Sequence, residues 1–290
     1  QDSDTVHAAL EELSTPDTAE FLSKIKSDDR QELLSMYGEA LDAEVFTEMD
    51  QELSRICLSD MPAENVAGMI STLESDDALL LIENLDPEFQ QEIIKKLSAQ
   101  TRLVLEEGLN FPEDSAGRLM RRELVAIPEF WTVGKTIDYL RTASETLPED
   151  FFDIFIIDPA HHLTGEVPLN RLVCAKRSQK ISDLKLDEAH PIPAHMDQEK
   201  VAHMFRRENI ISAPVIDDGG RLIGVITIDD IVDVIDEEAG EDILRMAGVD
   251  QGDLYRAVVA TTGLRFRWLF INLLTAVLAL SLIHISEPTR

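Results

Sequence analysis

The side chains best suited to chemistry in this sequence are carboxylates, and they are densest at positions 229–242. Eight of the side chains in this stretch are acidic and none is basic. Acids spaced by three and four fall on one stripe of a helix: Asp230, Asp233, Glu237 and Glu241. Four apolar residues form the stripe that we expect to be buried: Ile228, Ile231, Val232 and Ile235.

Such an acidic stripe needs a counter-charge, because like charges at this spacing destabilise a helix by about 0.2–0.5 kcal/mol per pair. No Lys or Arg occurs within the stretch to supply that charge. A divalent cation can supply it, since Mg²⁺ prefers oxygen ligands, keeps several waters and needs only one or two carboxylates. The alternative interpretation is a solvated acidic helix without a bound ion.

A second acidic surface lies between positions 1 and 110, where 26 acidic residues stand against seven basic ones. Their turn carboxylates Asp76 and Asp77 are candidates to face the acidic helix across a bridging ion. The whole chain of 290 residues has a formal net charge of −30. That charge repels phosphate backbones and argues against nucleic acid as a partner. An ordinary solvated acidic surface would have the same composition.

Helices must position the N-terminal acids, because Gly and Pro are sparse there and apolar residues recur at three and four. Apolar residues also recur every 12 positions: Met61, Leu73, Leu85, Leu97 and Leu109. Helix-start residues follow them, such as Asp86-Pro87 after Leu85 and Ser98 after Leu97. Units this short cannot bury a face alone, so we predict that they stack into a superhelix.

A β-α-β-β-α pattern of about 60 residues occurs twice after residue 119. Ile127-Pro128 matches Ile192-Pro193. Four later residues match at a shorter offset along the chain, namely Asp158, Gly165, Leu169 and Leu172 with Asp217, Gly224, Ile228 and Ile231. The difference between the two offsets predicts an insertion in the first copy around positions 146–150.

The sequence from Trp268 to Ile285 contains no Asp, Glu, Lys or Arg. About 18 such residues are the lower limit for one membrane span. Arg265 and Arg267 precede it, so the positive-inside rule places its N-terminal side in the cytoplasm. A buried core helix is the alternative. We expect the chain to stop where a membrane domain begins, and we interpret residues 286–290 as a candidate non-native tail.

Catalysis is not indicated by any motif in the sequence. The sequence contains no phosphate-binding glycine loop, no zinc-binding pattern and no Ser/His/Asp order. Its carboxylates are so numerous that no two of them can be identified as a catalytic acid and base. The two cysteines, Cys57 and Cys174, exclude a disulfide-dense scaffold and fit a reducing compartment. We therefore expect that the protein is not an enzyme.

The second copy of the repeat resembles a CBS (cystathionine-β-synthase) motif. The likeness rests on Ala213-Pro214-Val215-Ile216-Asp217, Gly219 and the run from Leu222 to Asp230; the first copy resembles the motif more loosely. The wider arrangement resembles the MgtE family of magnesium channels. Phe111 to Met120 is similar to that family's junction between N domain and CBS pair. Ile228 to Ala239 is similar to its connection to the plug helix.

This resemblance implies an α plus α/β multidomain fold with an all-helical superhelical N domain, a tandem CBS pair, a connecting helix and one partial transmembrane helix. The implied segments are 1–112 for the acidic N domain, 113–180 and 181–242 for the CBS motifs, 243–267 for the plug helix and 268–285 for the first transmembrane segment. It also implies a homodimer through the CBS domains and contact with the lipid bilayer through 268–285. The complete protein would be a multi-pass protein of the bacterial inner membrane, with residues 1–267 cytoplasmic.

The resemblance further implies that Mg²⁺ is both the transported ion and a regulatory ligand. Bound between acidic surfaces of the N domain, CBS pair and plug helix, Mg²⁺ would favour a compact closed state. The positions that match the family's acids are Asp230, Asp233, Glu238, Glu241, Asp242, Asp197, Glu199, Asp76 and Asp77. Asn209 stands where the family pattern has an acid.

ATP is a second candidate ligand, because CBS modules of this type contact a ribose through a hydroxyl and an acid. Thr227 and Asp230 have the matching spacing. The first copy has Pro168 and Arg171 at those places, so a nucleotide site would be single. Thr227 as a plain helix N-cap is the alternative. Two competing functions follow, a CBS-pair nucleotide sensor that regulates another membrane protein and a membrane-tethered acidic scaffold without ligand.

Overall fold

Short helices joined by tight turns build residues 13–110. They are α1 Thr15–Lys24, α2 Ser27–Tyr37, α3 Gln51–Ser59, α4 Ala63–Ile70, α5 Ser75–Glu83, α6 Pro87–Lys96 and α7 Ala99–Leu109, with 3-10 turns at Gly38–Ala40 and Ala43–Phe46. The structure is a computed structural model that describes residues 13–144, 146–148, 150–186, 189–247 and 266–278. The side chains of Glu39, Glu237 and residues 241–247 lie outside the description.

The 12-residue period marks the junctions between these helices. Met61, Leu85 and Leu97 are buried, and Leu73 and Leu109 pack against the same apolar core. After each of the first four members of this period, the next helix begins two positions later. The side chain of Ser98 accepts a hydrogen bond from the backbone N–H of Thr101, which caps α7 as predicted. Each junction therefore buries one apolar side chain and starts one helix, and the predicted stack of helices is confirmed.

The two predicted repeats fold alike. The short helix α8 Ala116–Leu119 leads into β1 Ala126–Pro128, α9 Val133–Thr142, β2 Asp153–Ile157, β3 Leu163–Pro168 and α10 Leu169–Cys174; after a 3-10 turn at Ile181–Leu184, the second repeat has β4 Ile192–Pro193, α11 Gln198–Glu208, β5 Ser212–Ile216, β6 Leu222–Thr227 and α12 Ile228–Ala247. In each three-stranded sheet the first pair is parallel and the second antiparallel. The chain divides into two compact units, Gln1–Ile235 and Asp236–Arg290.

Matched details show that the repeats share their turn chemistry as well as their topology. The register shifts after Ile156 in one sheet and after Val215 in the other, which are equivalent positions of the two copies. The side chain of Asp158 accepts two backbone N–H groups in the following turn, and Asp217 does the same in its own turn. An Asp side chain that closes a turn in this way fixes the hairpin connection. The predicted internal repeat is confirmed.

The predicted buried stripe of α12 is only partly right. Ile231 is fully buried and Val234 nearly so, and both belong to the core of the second repeat. Ile228, Val232 and Ile235 are instead 37%, 50% and 38% exposed. The sheet contacts the helix along positions 231 and 234, one turn apart, so the apolar residues on the neighbouring stripe stay uncovered by the described residues.

The predicted membrane segment is described only in part. Residues 266–278 are helical with exposed side chains, and 279–285 lie outside the described residues. Within the described part of the chain, no helix has both the length and the apolarity that a membrane span requires. The span at 268–285 therefore stays a prediction.

Candidate acidic site between the N-terminal helices and the second repeat

Three predicted carboxylates from distant parts of the sequence interact electrostatically. Asp76 and Asp77 lie in the first turn of α5, and Asp230 lies in the first turn of α12. Burial and then the charge of Asp230 raise the pKa of Asp76 well above its usual range and the pKa of Asp77 to about 6. Burial also raises the pKa of Asp230 to about 6, although its hydrogen bonds from Thr227 oppose this. The fold thus brings the two predicted acidic surfaces together.

Arg121 is a cation whose charge lowers the pKa of all three acids. It follows α8, and its backbone N–H and C=O both bond to Val225, so it extends the second sheet beyond β6. Its side chain is 7% exposed. The guanidinium donates to Glu74 at 2.5 Å and to the hydroxyl of Thr227 at 2.6 Å, and lies 3.8 Å from Asp229. Because the backbone is held by the sheet, the guanidinium is directed between α5 and α12.

The acidic helix receives a protein counter-charge from outside its own segment. No Lys or Arg lies within residues 229–242, but Arg121, far earlier in the sequence, reaches them through the fold. Coulombic contacts with Glu74, Asp230 and Asp76 raise the pKa of Arg121, while burial opposes them as the largest single influence. One guanidinium cannot neutralise the five carboxylates around it, so a deficit of positive charge remains: Glu74, Asp76, Asp77, Asp229 and Asp230.

Arg121 lies in the linker between the N-terminal helices and β1, residues 111–123. Its neighbours in this linker also bond to the N-terminal helices. Arg118 pairs with Glu83 at 2.5 Å, and Arg122 pairs with Glu107 at 3.3 Å. Ser75 donates its hydroxyl to the Glu123 carboxylate at 2.8 Å and accepts the backbone N–H of Arg122 at 2.7 Å. Three closely spaced arginines in an acidic chain were the sequence signal for this interface, and our predictions from the sequence did not use it.

The predicted nucleotide pair Thr227–Asp230 forms a helix-capping interaction. Asp230 accepts both the backbone N–H and the hydroxyl of Thr227, at 2.9 and 2.8 Å. An acid at the third helical position that reaches back to the cap N–H is half of a capping box. Thr227 is 3% exposed, and its hydroxyl also accepts from Arg121. In this arrangement both groups of the pair already have protein partners.

The other predicted metal ligands lie outside the group formed by Asp76, Asp77 and Asp230, or outside the described residues. Asp197 precedes α11 and Glu199 lies in its first turn, and both are exposed. Asp233 is exposed on α12 and Glu238 is half-buried. The side chains of Glu241 and Asp242 lie outside the described residues. Asn209, which stands where the family pattern has an acid, ends α11 with φ 53°. This is a left-handed conformation that Asn tolerates better than most residues.

A preformed metal cage is not found in the part of the chain that the structure describes. No group of three or more His, Cys, Asp or Glu side chains there is arranged to hold an ion. The acidic site nevertheless suits Mg²⁺, which keeps most of its waters and is commonly held by one or two carboxylates. After burial, the charge of Asp230 is the next cause of the raised pKa values of Asp76 and Asp77, and a bound cation would offset that repulsion.

Comparison with known proteins matches the N-terminal helices and the second repeat to two known domain families. The family model for the MgtE intracellular N domain matches residues 4–114, and the model for the CBS domain matches residues 181–237. The magnesium transporter MgtE of Thermus thermophilus is 30% identical over 292 residues, which cover 98% of this chain. The chain belongs to the MgtE family. The MgtE protein of Bacillus subtilis (strain 168) is 26% identical over 97% of the chain.

Solved structures give the MgtE fold directly. The cytosolic domain of the Mg²⁺ channel MgtE in complex with ATP superposes with a TM-score of 0.73 at 27% identity, covering 80% of this chain and 94% of that one. The soluble part of a magnesium transporter gives 0.70 at 26% identity, covering 81% and 93%. The predicted fold class, a helical N domain followed by paired CBS-type sheets, is confirmed.

The chain spans 65% and 62% of the lengths of the Thermus and Bacillus MgtE proteins. The part that it matches in the solved structures is the cytosolic domain of MgtE, of which it covers 94%. These relatives are named as transporters and not as enzymes.

Proposed function

We propose that this chain is the cytosolic Mg²⁺-sensing region of a magnesium channel or transporter. The observation that supports this most directly is the acidic site, where Asp76 and Asp77 of the N domain share one electrostatic environment with Asp230 of the second CBS motif. The carboxylates of both domains carry a residual negative charge that a divalent cation would offset.

The proposed mechanism is a balance of charge. At low Mg²⁺ the ionised acids repel one another, which disfavours docking of the N domain on the CBS pair. At high Mg²⁺, ions held through water by Asp76, Asp77 and Asp230 offset that repulsion. An ion that binds only the docked state stabilises it by mass action, by about 2.7 kcal/mol at a hundredfold excess over Kd.

The docked state would be the compact, closed state of the complete protein. Asp233, Glu238, Glu241 and Asp242 on the acidic helix, and Asp197 with Glu199 at α11, are the further proposed ligands. The plug segment 243–267 would transmit the change to a multi-pass pore in the bacterial inner membrane, entered by the chain through 268–285. Mg²⁺ would then be both the ion that the protein transports and the ion that it senses.

Protease protection of the purified chain tests the proposal. We expect millimolar Mg²⁺ to slow cleavage near the linker, residues 111–123, by about 100-fold relative to EDTA when the ion is at a hundredfold excess over Kd. NaCl at matched ionic strength should not replace Mg²⁺, because monovalent screening does not bridge two carboxylate surfaces. Equal cleavage rates in EDTA and Mg²⁺ would contradict Mg²⁺ sensing.

An adenine-nucleotide sensor is the second candidate, favoured by the ATP complex of the related cytosolic domain. Thr227 and Asp230 would hold the ribose, but their present bonds to each other and to Arg121 would have to open. Titration calorimetry with Mg²⁺ and with ATP separates the candidates. Heat from ATP alone favours the nucleotide sensor, and heat from neither favours an acidic scaffold without ligand.

A homodimer is proposed through the exposed apolar stripe of α12, Ile228, Val232 and Ile235. A second copy of the chain would remove these side chains from water. We expect Val232→Asp to shift the purified chain from dimer to monomer in analytical ultracentrifugation, because the substitution places a charge at the centre of the stripe. The control is Val173→Asp, which changes a more exposed valine, 70% against 50% for Val232, on α10. Dimers that persist in Val232→Asp would exclude this surface.

A further inference from the structure

Glu166 is a buried carboxyl that the acidic site does not include. It lies on β3 of the first CBS motif and is only 5% exposed. Its Oε2 atom has no hydrogen-bond partner among the described residues. An ionised carboxylate in such a place would lose its water without compensation. The side chain therefore fits this position better as a neutral acid.

Asp153 is the acid whose charge acts on the Glu166 carboxyl. In the antiparallel pair of β2 and β3, Phe155 pairs with Glu166 and Asp153 lies two positions before Phe155, so the two acids share a face of the sheet. The second CBS motif contacts this face through Ser212, whose hydroxyl donates to Asp153 at 2.5 Å. Burial and then the charge of Asp153 raise the pKa of Glu166 to about 7.

Described basic groups near β3 are engaged elsewhere. Lys185 packs against Gly165 and donates its ammonium to the carbonyl of Thr164. Arg171 of α10 donates to the Lys185 carbonyl, and Asp183 of the neighbouring 3-10 turn is exposed. None of these described side chains makes a hydrogen bond with the Glu166 carboxyl.

The two copies of the repeat differ at these positions. At the offset that aligns Asp158 with Asp217, Asp153 corresponds to Ser212 and Glu166 to Val225. The second copy therefore presents a hydroxyl and an apolar side chain where the first presents two carboxyls. Val225 is buried in its own copy as Glu166 is, so burial at this place in the fold does not require an acid.

We propose that Glu166 and Asp153 form a proton-operated contact between the two CBS motifs. With a proton on Glu166, one negative charge at most lies on this face, and the hydrogen bond from Ser212 satisfies Asp153. Release of the proton to solvent leaves two buried negative charges side by side. Their repulsion loosens the packing of the motifs and opens the Asp153–Ser212 bond.

The direction of the pH effect follows from the sign of the shift. A carboxyl whose pKa is higher in the packed state than in the open state favours packing at low pH, and this preference is lost as the pH rises to about 7. Between the usual pKa of Glu and about 7, each pH unit changes the open-to-packed ratio by about tenfold. Above that range the ratio levels off.

Hydrogen exchange of the full chain, measured by mass spectrometry and corrected for intrinsic rates, tests this proposal. Between about pH 5 and about pH 7 we expect opening of the peptides that contain Asp153 and Ser212 to rise by about tenfold per pH unit. Glu166→Gln mimics the neutral acid and should give a flat profile, about 100-fold more protected than the parent at about pH 8. Glu166→Val, which copies the second repeat, should be flat as well.

Glu129→Gln is the matched control, because Glu129 is an exposed acid of the same CBS motif and should keep the parental slope. A flat parental profile, or a parental slope in Glu166→Gln, would overturn the proposal. The readout must be local, since Asp77 and Asp230 also have pKa values of about 6 at the N-domain interface. The peptide that contains Asp153 is the decisive readout, because Asp153 pairs with Pro168 of β3, whereas Ser212 pairs with Thr227 of the acidic site. Read at Asp153, this test and the Mg²⁺ test can fail separately.

Discussion

Replacing Arg121 by Gln should release the N domain from the second CBS motif. The guanidinium is nearly buried and bonds to Glu74 and Thr227 at once. Its loss leaves Glu74, Asp76 and Asp230 without their shared counter-charge. Removing one partner of a buried ion pair costs about 3–5 kcal/mol; because the Glu74 side chain is 37% exposed, we expect about 2–3 kcal/mol after allowing for solvent screening.

That loss of docking energy corresponds to about a 30- to 150-fold rise in hydrogen exchange of peptides that cover residues 74–78 and 118–125. The matched control is Arg122→Gln. Arg122 pairs with the half-exposed Glu107, and exposed pairs of this kind contribute about 0–1 kcal/mol. If Arg121→Gln and Arg122→Gln had equal effects, the buried guanidinium would not be the main contact. Millimolar Mg²⁺ should restore part of the protection in Arg121→Gln if the ion occupies the acidic site.

Docking of the N domain should also depend on pH in the absence of Mg²⁺. The pKa values of Asp77 and Asp230 are raised from 3.8 to about 6 in the docked arrangement. A raised carboxyl pKa favours docking at low pH, and that contribution is lost as the pH rises through about 6. Two pKa units per acid correspond to roughly 2–3 kcal/mol each. In EDTA we therefore expect a docked chain at about pH 5 and an undocked chain at about pH 8.

Asp77→Asn separates this electrostatic effect from general stability. The amide removes one titrating charge and one Mg²⁺ ligand, so docking in EDTA should persist to higher pH and respond less to Mg²⁺. Asp218→Asn, an exposed acid in the hairpin turn after β5, should behave like the parent. Small-angle X-ray scattering of both variants at two pH values, with EDTA or Mg²⁺, measures the docked fraction. An unchanged response to pH and Mg²⁺ in Asp77→Asn would remove Asp77 from the site.

Local patterns were sufficient for much of the fold. The 12-residue period placed the helix junctions, because each junction needs one buried apolar residue and one helix start. The matched residues of the two copies predicted two units with the same topology, and the structure shows that Asp158 and Asp217 also close their turns in the same way.

Long-range contacts could not be predicted in the same way. Periodicity gave Ile228, Val232 and Ile235 as buried, but which stripe of an apolar helix packs inward depends on where the sheet lies. Thr227 and Asp230 had the spacing of a nucleotide pair, and the same spacing serves a helix cap. The position of the sheet decides the first outcome, and the bond from Arg121, distant in sequence, adds a partner to Thr227 that the local spacing does not indicate.

The excess of acids, its location in two segments and the family of the chain could be predicted from the sequence, because composition and short motifs are local properties. The tertiary structure alone decided which acids meet. It directed Arg121 between the acids of α5 and α12, and it enclosed Glu166 beside Asp153. Coulomb energy falls with distance and rises with burial, and neither distance nor burial is encoded in residue type or spacing.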